Sequence, residues 1–398
     1  MNKLAINGGE PVRKEKIYYG HQWIDEDDIQ AVCDVLRSDF LTCGPAVTKF
    51  EKDLCNYTGA EYAVAVSNGT AALHCACMAA GIRPEDEVIT TPLTFAASAN
   101  CVLYCGATPV FADVDPNTYN ISPESIEEKI TEQTKAVIAV DFTGQAVENQ
   151  KIREICDKYN LVFIEDAAHA IGTRYNGQAV GSLADMTCFS FHPVKTITGG
   201  EGGAVTTNSK EFYQKLQLAH THGITHDEEL MQDMPHEGPW YYEQISLGYN
   251  YRMTDFQAAL LSSQLKKMDQ FKARRQEIVN RYNEAFEGLP GIIVQKEIDE
   301  SDTCRHLYII RLDLDKLTCT RRQFFDAMAA ENVQCQIHYV PVYWFPYYQK
   351  MGYEKGLCPN AESIYNSIMS IPLYPKMSDQ DVEDVIMAVK KCIENYLK

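Results

Sequence analysis

From about residue 25 to residue 220, short apolar runs alternate with segments of helical character, and this alternation limits the possible folds more than any other feature. YAVAVS (62–67), EVITT (87–91), TPVFADV, AVIAVDF and LVFIED read as strands. Between them, residues 24–38, the run NGTAALHCACMAAG ending at Gly81, Phe95 to Cys105, and segments near 123–130 and 148–159 read as helices. Acidic residues open the helix over 24–38, where the macrodipole favours them. Apolar strands separated by helices predict an α/β fold with a large, mostly parallel sheet covered on both faces.

The character changes near residue 265. Thr254 to about Gly288 is a long amphipathic stretch, HLYIIRLDL and VQCQIHYVPVY read as strands, and SDQDVEDVIMAVKKCIENYLK reads as a closing helix. The division expected is a large domain with an N-terminal arm over residues 1–265 and a smaller α+β domain over 266–398. Residues 226–244 lack a clear period and read as a long surface excursion, a kind of segment that often carries function.

The 36 basic and 55 acidic side chains leave a net charge of −19. Such a surface repels nucleic acid and anionic membranes. A phosphorylated ligand stays open, because backbone amides and hydroxyls bind phosphate without a basic surface. No run approaches the about 18 apolar residues of a membrane helix. MNKLAINGGEPVRKE carries no apolar signal core, so the expected location is the cytoplasm. The 14 cysteines form neither a CxxC pair nor a zinc-finger spacing. Reduced, buried thiols and no metal site are expected, with Cys101 and Cys105 packing from one helix.

CFSFHPVKTITGGEGGAVTT (188–207) sets a single lysine, Lys195, between a short apolar run and a glycine cluster. Lys195 thus sits where a strand runs into a tight turn. Alone, a lysine there is more readily a surface residue. Gly199, Gly200, Gly202 and Gly203 change that reading, since they let the chain turn sharply and approach a ligand. Upstream, LVFIED ends on Asp166, and in an open parallel sheet ligands collect at the carboxyl ends of strands. An aspartate there can also be a plain helix cap. One lysine with one strand-end aspartate is what an enzyme needs to hold pyridoxal 5′-phosphate. The lysine forms a Schiff base with the aldehyde, and the aspartate keeps the ring nitrogen protonated, so that the ring acts as an electron sink. Burying such a pair is costly unless it is hydrogen-bonded, so His169 or a water is expected beside Asp166.

SNGTAAL (67–73) reads as a phosphate cup or as a simple helix cap. Free amides of Gly69, Thr70 and Ala71 at a helix start would bind an anion, with the Ser190 hydroxyl as an added donor. Phe95, in TPLTFAAS, either stacks on the pyridine ring or belongs to the core. Competing motifs fail: GGEGG lacks dinucleotide spacing, and neither GxxxxGK[ST] nor GxSxG occurs. His220, His222 and His226 lack an accompanying acid or cysteine at ligand spacing and read as solvated or structural.

WIDEDDI, LTCGPAVTKFE, VSNGTAALH, ITTPLTFAASAN, VDFTGQ, IEDAAHA, FSFHPVKTITGGEGGAVTTN and GYNYRMTDFQAAL follow one another nearly end to end. Together they resemble the DegT/DnrJ/EryC1/StrS family of sugar aminotransferases. The resemblance implies the aspartate-aminotransferase-like fold type I of pyridoxal-phosphate-dependent transferases and a homodimer. It implies Lys195 as the Schiff-base lysine, Asp166 as the ring-nitrogen partner and His169 as a contact to the ring hydroxyl. Gly69, Thr70 and Ser190 match phosphate contacts. Asn250, in GYNYR, matches a contact given to the partner subunit's phosphate, so that each site needs both chains.

A narrower resemblance rests on HGITHD, EGPWYYEQISLGYNYRMTD and IHYVPVYWFPYYQKMGY. It is to the branch that makes a 4-amino sugar for pseudaminic acid. It implies transfer of an amino group from L-glutamate to carbon 4 of a UDP-linked 4-keto-6-deoxy-N-acetylhexosamine. His338, Tyr339 and Tyr19 lie in segments that this resemblance makes substrate-facing. His220 stands where an arginine is common and Leu261 where a glycine is common, departures expected to act on packing or else on substrate choice. Three other readings stay open: amination at carbon 3, a dTDP- or GDP-linked sugar, and a sugar-binding relative without turnover. Relatives that dehydrate or deoxygenate sugars carry histidine in place of the lysine, so Lys195 argues against that chemistry.

Overall fold

Seven strands form the central sheet: β1 (Tyr62–Val66), β2 (Glu87–Thr90), β3 (Thr108–Phe111), β4 (Thr134–Val140), β5 (Val162–Asp166), β6 (Met186–Ser190) and β7 (Gly203–Thr207). The structure is a computed structural model and describes residues 3–231 and 238–398. Across the sheet the order is β1-β7-β6-β5-β4-β2-β3. Strands β3, β2, β4, β5 and β6 pair in parallel, and β7 runs against both β6 and β1. The mostly parallel α/β sheet read from the sequence is therefore present. Its central strands β4 and β5 are buried along nearly all their length, as expected for strands with both faces covered.

Helices follow the strands as the periodicity predicts. Helix α1 (Glu26–Leu36) starts at a reciprocal cap between Asp25 and Asp28. Helix α2 (Gly69–Ala79) follows β1, and α3 (Ala97–Tyr104) follows β2. The amphipathic stretch over 254–288 is two helices, α4 (Asp255–Leu265) and α5 (Met268–Phe286). They part where Lys267 reaches its ammonium to Asp25 and to the buried Asp28, the latter at 2.9 Å. A straight helix would forgo that pair and leave the Asp28 carboxylate without its cation.

A second, antiparallel sheet has β8 (Ile292–Val294), β9 (Tyr308–Leu312) and β10 (Ile368–Ile371) in that order. Its core takes Ile278, Tyr282 and Phe286 from α5 and Val382, Val385 and Val389 from the closing helix α6 (Asp379–Tyr396). Leu4 and Ile17 of the N-terminal arm also pack there. VQCQIHYVPVY is not a strand. Within it, Val333 bridges to Ile17 and Gln336 to Ser370, each as a single pair. A 3₁₀ turn follows at Val342–Trp344. Pro341 has no N–H for a ladder, and the segment instead turns His338 and Tyr339 into a cleft.

The excursion over 226–244 rises from a short ribbon in which Ile224 pairs with Gln244 and Thr225 with Glu243. Its residues 232–237 lie outside the described residues. Arg275 of α5, 2% exposed, reaches from helix to cleft wall. It donates to the carbonyls of Arg305, His306 and Leu373 at 3.1 to 3.2 Å. Those bonds fix the turn that carries His306 to the cleft.

Candidate active site

The carboxyl ends of the parallel strands open onto a cleft of about 900 Å³. Lys195, Asp166, His169, Gly69, Thr70, Ser190, Phe95, His338, Tyr339 and Tyr19 all line it. Asn250 does not; it is exposed and bridges to Thr221.

Lys195 lies on a loop between β6 and β7 that is tied at its base. Phe191 N–H donates to Gly202 O at 2.8 Å, and Gly199 N–H donates to Phe191 O at 3.0 Å. Gly200 has φ +81°, a left-handed turn that glycine adopts without strain. Leu261 of α4 packs beneath: a Cβ on Gly199 would stand 3.1 Å from its side chain. The departure at Leu261 thus acts on packing under the lysine loop. His220, the other departure, is buried at a helix end, its Nδ1 near the Leu216 and Gln217 carbonyls. The Lys195 amine has no hydrogen-bond or ion-pair partner among the described residues. Burial pulls it down to about 8, with the charge of Asp166 acting the other way.

Asp166 ends β5 and is 4% exposed. Its Oδ2 accepts from Ser98 Oγ at 2.6 Å and its Oδ1 from the Ala168 N–H at 3.1 Å. Burial pushes the carboxyl up, while Ser98, the Ala168 amide and the Lys195 charge hold it down. Support was expected from His169 or a water; among the described residues the contacts to Asp166 come from Ser98 and the Ala168 amide, and none from His169. His169 Nε2 faces the Tyr339 hydroxyl at 3.1 Å, and its Nδ1 is buried with no partner. Burial and the nearby Lys195 charge keep this imidazole neutral well below its ordinary range.

The anion cup stands at the start of α2. Asn68 caps the helix by accepting from the Ala71 N–H at 2.8 Å, so that amide is not free, contrary to expectation. A side-chain cap of this kind satisfies one orphan donor and leaves the first two. The amides of Gly69 and Thr70 have no acceptor among the described residues. A Cβ on Gly69 would stand 2.7 Å from Ser190 Cβ, so glycine is what brings the Ser190 hydroxyl over the helix end. A Cβ on Gly203 would stand 2.4 Å from the Asn68 carbonyl oxygen, so β7 approaches the cup only as glycine.

Phe95 is 64% exposed and edge-on to Tyr339 at 6.2 Å, so it belongs to the cleft rather than the core. Its open face suits a flat ring. Tyr19 and His338 face each other with ring centroids 5.1 Å apart, and His338 Nδ1 is 2.8 Å from Ser370 Oγ. Burial, with the Lys195 charge, pulls His338 down to about 3. Three contributors escaped the sequence reading. Thr94 and Ser98 were legible in principle, as hydroxyls four apart at a helix start. His306 carried no signal; it stacks obliquely at 4.6 Å from His169, placed by α5.

These groups fit pyridoxal 5′-phosphate. The cleft has an unpartnered amine for an aldehyde, a buried carboxylate for a ring nitrogen, and open amides with a hydroxyl for a phosphate. An amine kept out of water also weakens the apo fold. Below about pH 8 the folded chain must carry the buried charge, while the unfolded lysine titrates near 10.5. Between those values the unfolded chain holds more protons, so stability rises with pH there. Lys195→Met should raise the melting temperature of the cofactor-free chain at pH 7. The gain should shrink as pH climbs from 8 towards 10.5. Thermal melts across pH test this; a gain independent of pH would contradict it.

The chain is 42% identical to the spore coat polysaccharide biosynthesis protein SpsC of Bacillus subtilis, over 96% of this chain and 98% of that one. It is 39% identical to the UDP-4-amino-4,6-dideoxy-N-acetyl-beta-L-altrosamine transaminase of Campylobacter jejuni, over 94% and 97%. Among solved structures it superposes on Helicobacter pylori PseC, an aminotransferase involved in the biosynthesis of pseudoaminic acid. The TM-score is 0.88 at 32% identity, over 96% of this chain and 100% of that one. Aminotransferases of the matching family depend on pyridoxal phosphate, and the fold is their type I. The family model matches residues 22–390, and the chain belongs to the DegT/DnrJ/EryC1/StrS aminotransferase family.

Proposed function

We propose that this sugar aminotransferase moves an amino group from L-glutamate to carbon 4 of a UDP-linked 4-keto-6-deoxy-N-acetylhexosamine, in pseudaminic acid biosynthesis. The convergence of Lys195, Asp166 and the α2 N-terminus in one cleft carries the catalytic part of this reading. The choice of sugar is supported by the likeness to the Campylobacter transaminase and to PseC.

Bound in the cleft, pyridoxal phosphate supplies the electron sink for the charge left when a proton leaves the carbon that bears nitrogen. The Lys195 amine, pulled towards neutrality by burial, is the base that would take up and return that proton at its Nζ. The Asp166 carboxylate would hold a positive charge on the ring nitrogen. The Gly69 and Thr70 amides and the Ser190 hydroxyl would anchor the phosphate. Phe95 and His169 would help to hold the ring. Tyr19, His338 and Tyr339 form the wall where the sugar enters. One site must accept glutamate and keto-sugar in turn, so ping-pong kinetics should follow. Purified protein given glutamate and a panel of nucleotide keto-sugars should aminate the UDP-linked 4-keto substrate fastest. Preference for a 3-keto, dTDP- or GDP-linked sugar would overturn the substrate assignment.

The exposed Asn250, outside its own chain's cleft, supports a homodimer in which it reaches the partner's phosphate site. Lys195→Ala and Asn250→Ala chains, each inactive alone, then complement when mixed. A hybrid dimer has one intact site, so activity should return to about a quarter of wild type for random association. No recovery, with hybrids demonstrated by mass, would remove the shared-site reading.

A further inference from the structure

Beside Asp166, in the wall of the same cleft, runs a short line of buried hydroxyls. Ser98, 1% exposed, stands in the first turn of α3, and its Oγ is 2.6 Å from Asp166 Oδ2. Thr94, also buried, sets its Oγ1 2.7 Å from Ser98 Oγ. A serine hydroxyl has one proton and two lone pairs. An ionised Asp166 can only accept, so the Ser98 proton goes to the carboxylate. The alternative acceptor, the Phe95 carbonyl, is 3.4 Å away. Thr94 must then donate to Ser98. Each hydroxyl polarises the next, and the line ends on the charge. Phe95 lies between the two hydroxyl residues, so the same bonds hold the turn that presents its ring.

We propose that the Thr94–Ser98 relay is a positioning device that keeps Asp166 ionised and aimed into the cleft, and so sets how tightly the chain holds the ring of its cofactor. Ser98 touches neither cofactor nor substrate in this account; it acts through Asp166. Without it, Asp166 would keep one amide donor, and its burial would favour the neutral acid. A neutral Asp166 would leave the pyridine nitrogen without its counter-charge.

The inference rests on the pyridoxal phosphate reading of the cleft, and the test separates the two. Apo protein is titrated with pyridoxal phosphate, and the dissociation constant and visible spectrum of the bound cofactor are recorded against pH. Ser98→Ala should weaken binding about ten- to a hundredfold, the range for a lost hydrogen bond to a charged group. Thr94→Val, which keeps the side-chain shape, should weaken it by a smaller factor and serves where Ser98→Ala folds poorly. In an Asp166→Asn background the Ser98→Ala loss should fall to a few-fold at most. The pH of the spectral transition should move in Ser98→Ala and stay put when Ser98→Ala is added to Asp166→Asn. An equal loss in both backgrounds, or unchanged binding and spectra in both single variants, would overturn the relay. Wild-type chain that takes up no pyridoxal phosphate would remove the functional reading first, and the relay with it.

Discussion

A carboxylate and an amine withdrawn from water at one sheet edge are the constraint on which this structure turns. Burial drives Asp166 and Lys195 each towards the neutral form, and each opposes that drive in the other. They form no direct ion pair. Asp166 is held by two donors and Lys195 by none. The asymmetry is chemically useful: a fixed charge on one side, and on the other an amine free to bond, give up a proton and take it back. Neither state is favourable in isolation, so the surrounding fold must supply the energy that keeps both groups where they are.

The reversal of one strand explains how the parts meet. Parallel connections alone would bring the ends of β4, β5 and β6 to the cleft. Strand β7 instead turns back through the glycine loop and inserts between β6 and β1. That places Gly203 against Asn68, at the start of α2, and the lysine loop beside the anion cup. Side chains at Gly69 or Gly203 would hold these elements apart. The turn that carries Lys195 and the helix end suited to a phosphate are therefore one packed unit. From the other side, α5 and its buried Arg275 deliver His306, while the unpaired segment after Gln336 delivers His338 and Tyr339.

Much of this was legible in the sequence. Apolar strands between amphipathic helices gave the parallel sheet, because strands covered on both faces must be apolar throughout. Lys195, Asp166 and SNGT stood out because glycine turns and strand ends constrain what can surround them. Illegible features depended on long-range geometry. The split between α4 and α5 follows from Lys267 meeting Asp25 and Asp28, more than 230 positions away. VQCQIHYVPVY had the composition of a strand, yet its pairing gave way to the cleft. Ser98, to which the sequence assigned no role, meets Asp166, while His169 faces Tyr339, since periodicity cannot say which polar group lies nearest a buried carboxylate.

The attachment point is the most direct test. Purified chain loaded with pyridoxal phosphate is reduced with borohydride, digested and mapped by mass spectrometry. A pyridoxyl mass increment on the peptide carrying Lys195, absent when Asp166 is replaced by alanine at limiting cofactor, is the outcome this account predicts. An increment on a different lysine, or none in a chain that still transaminates, would contradict it.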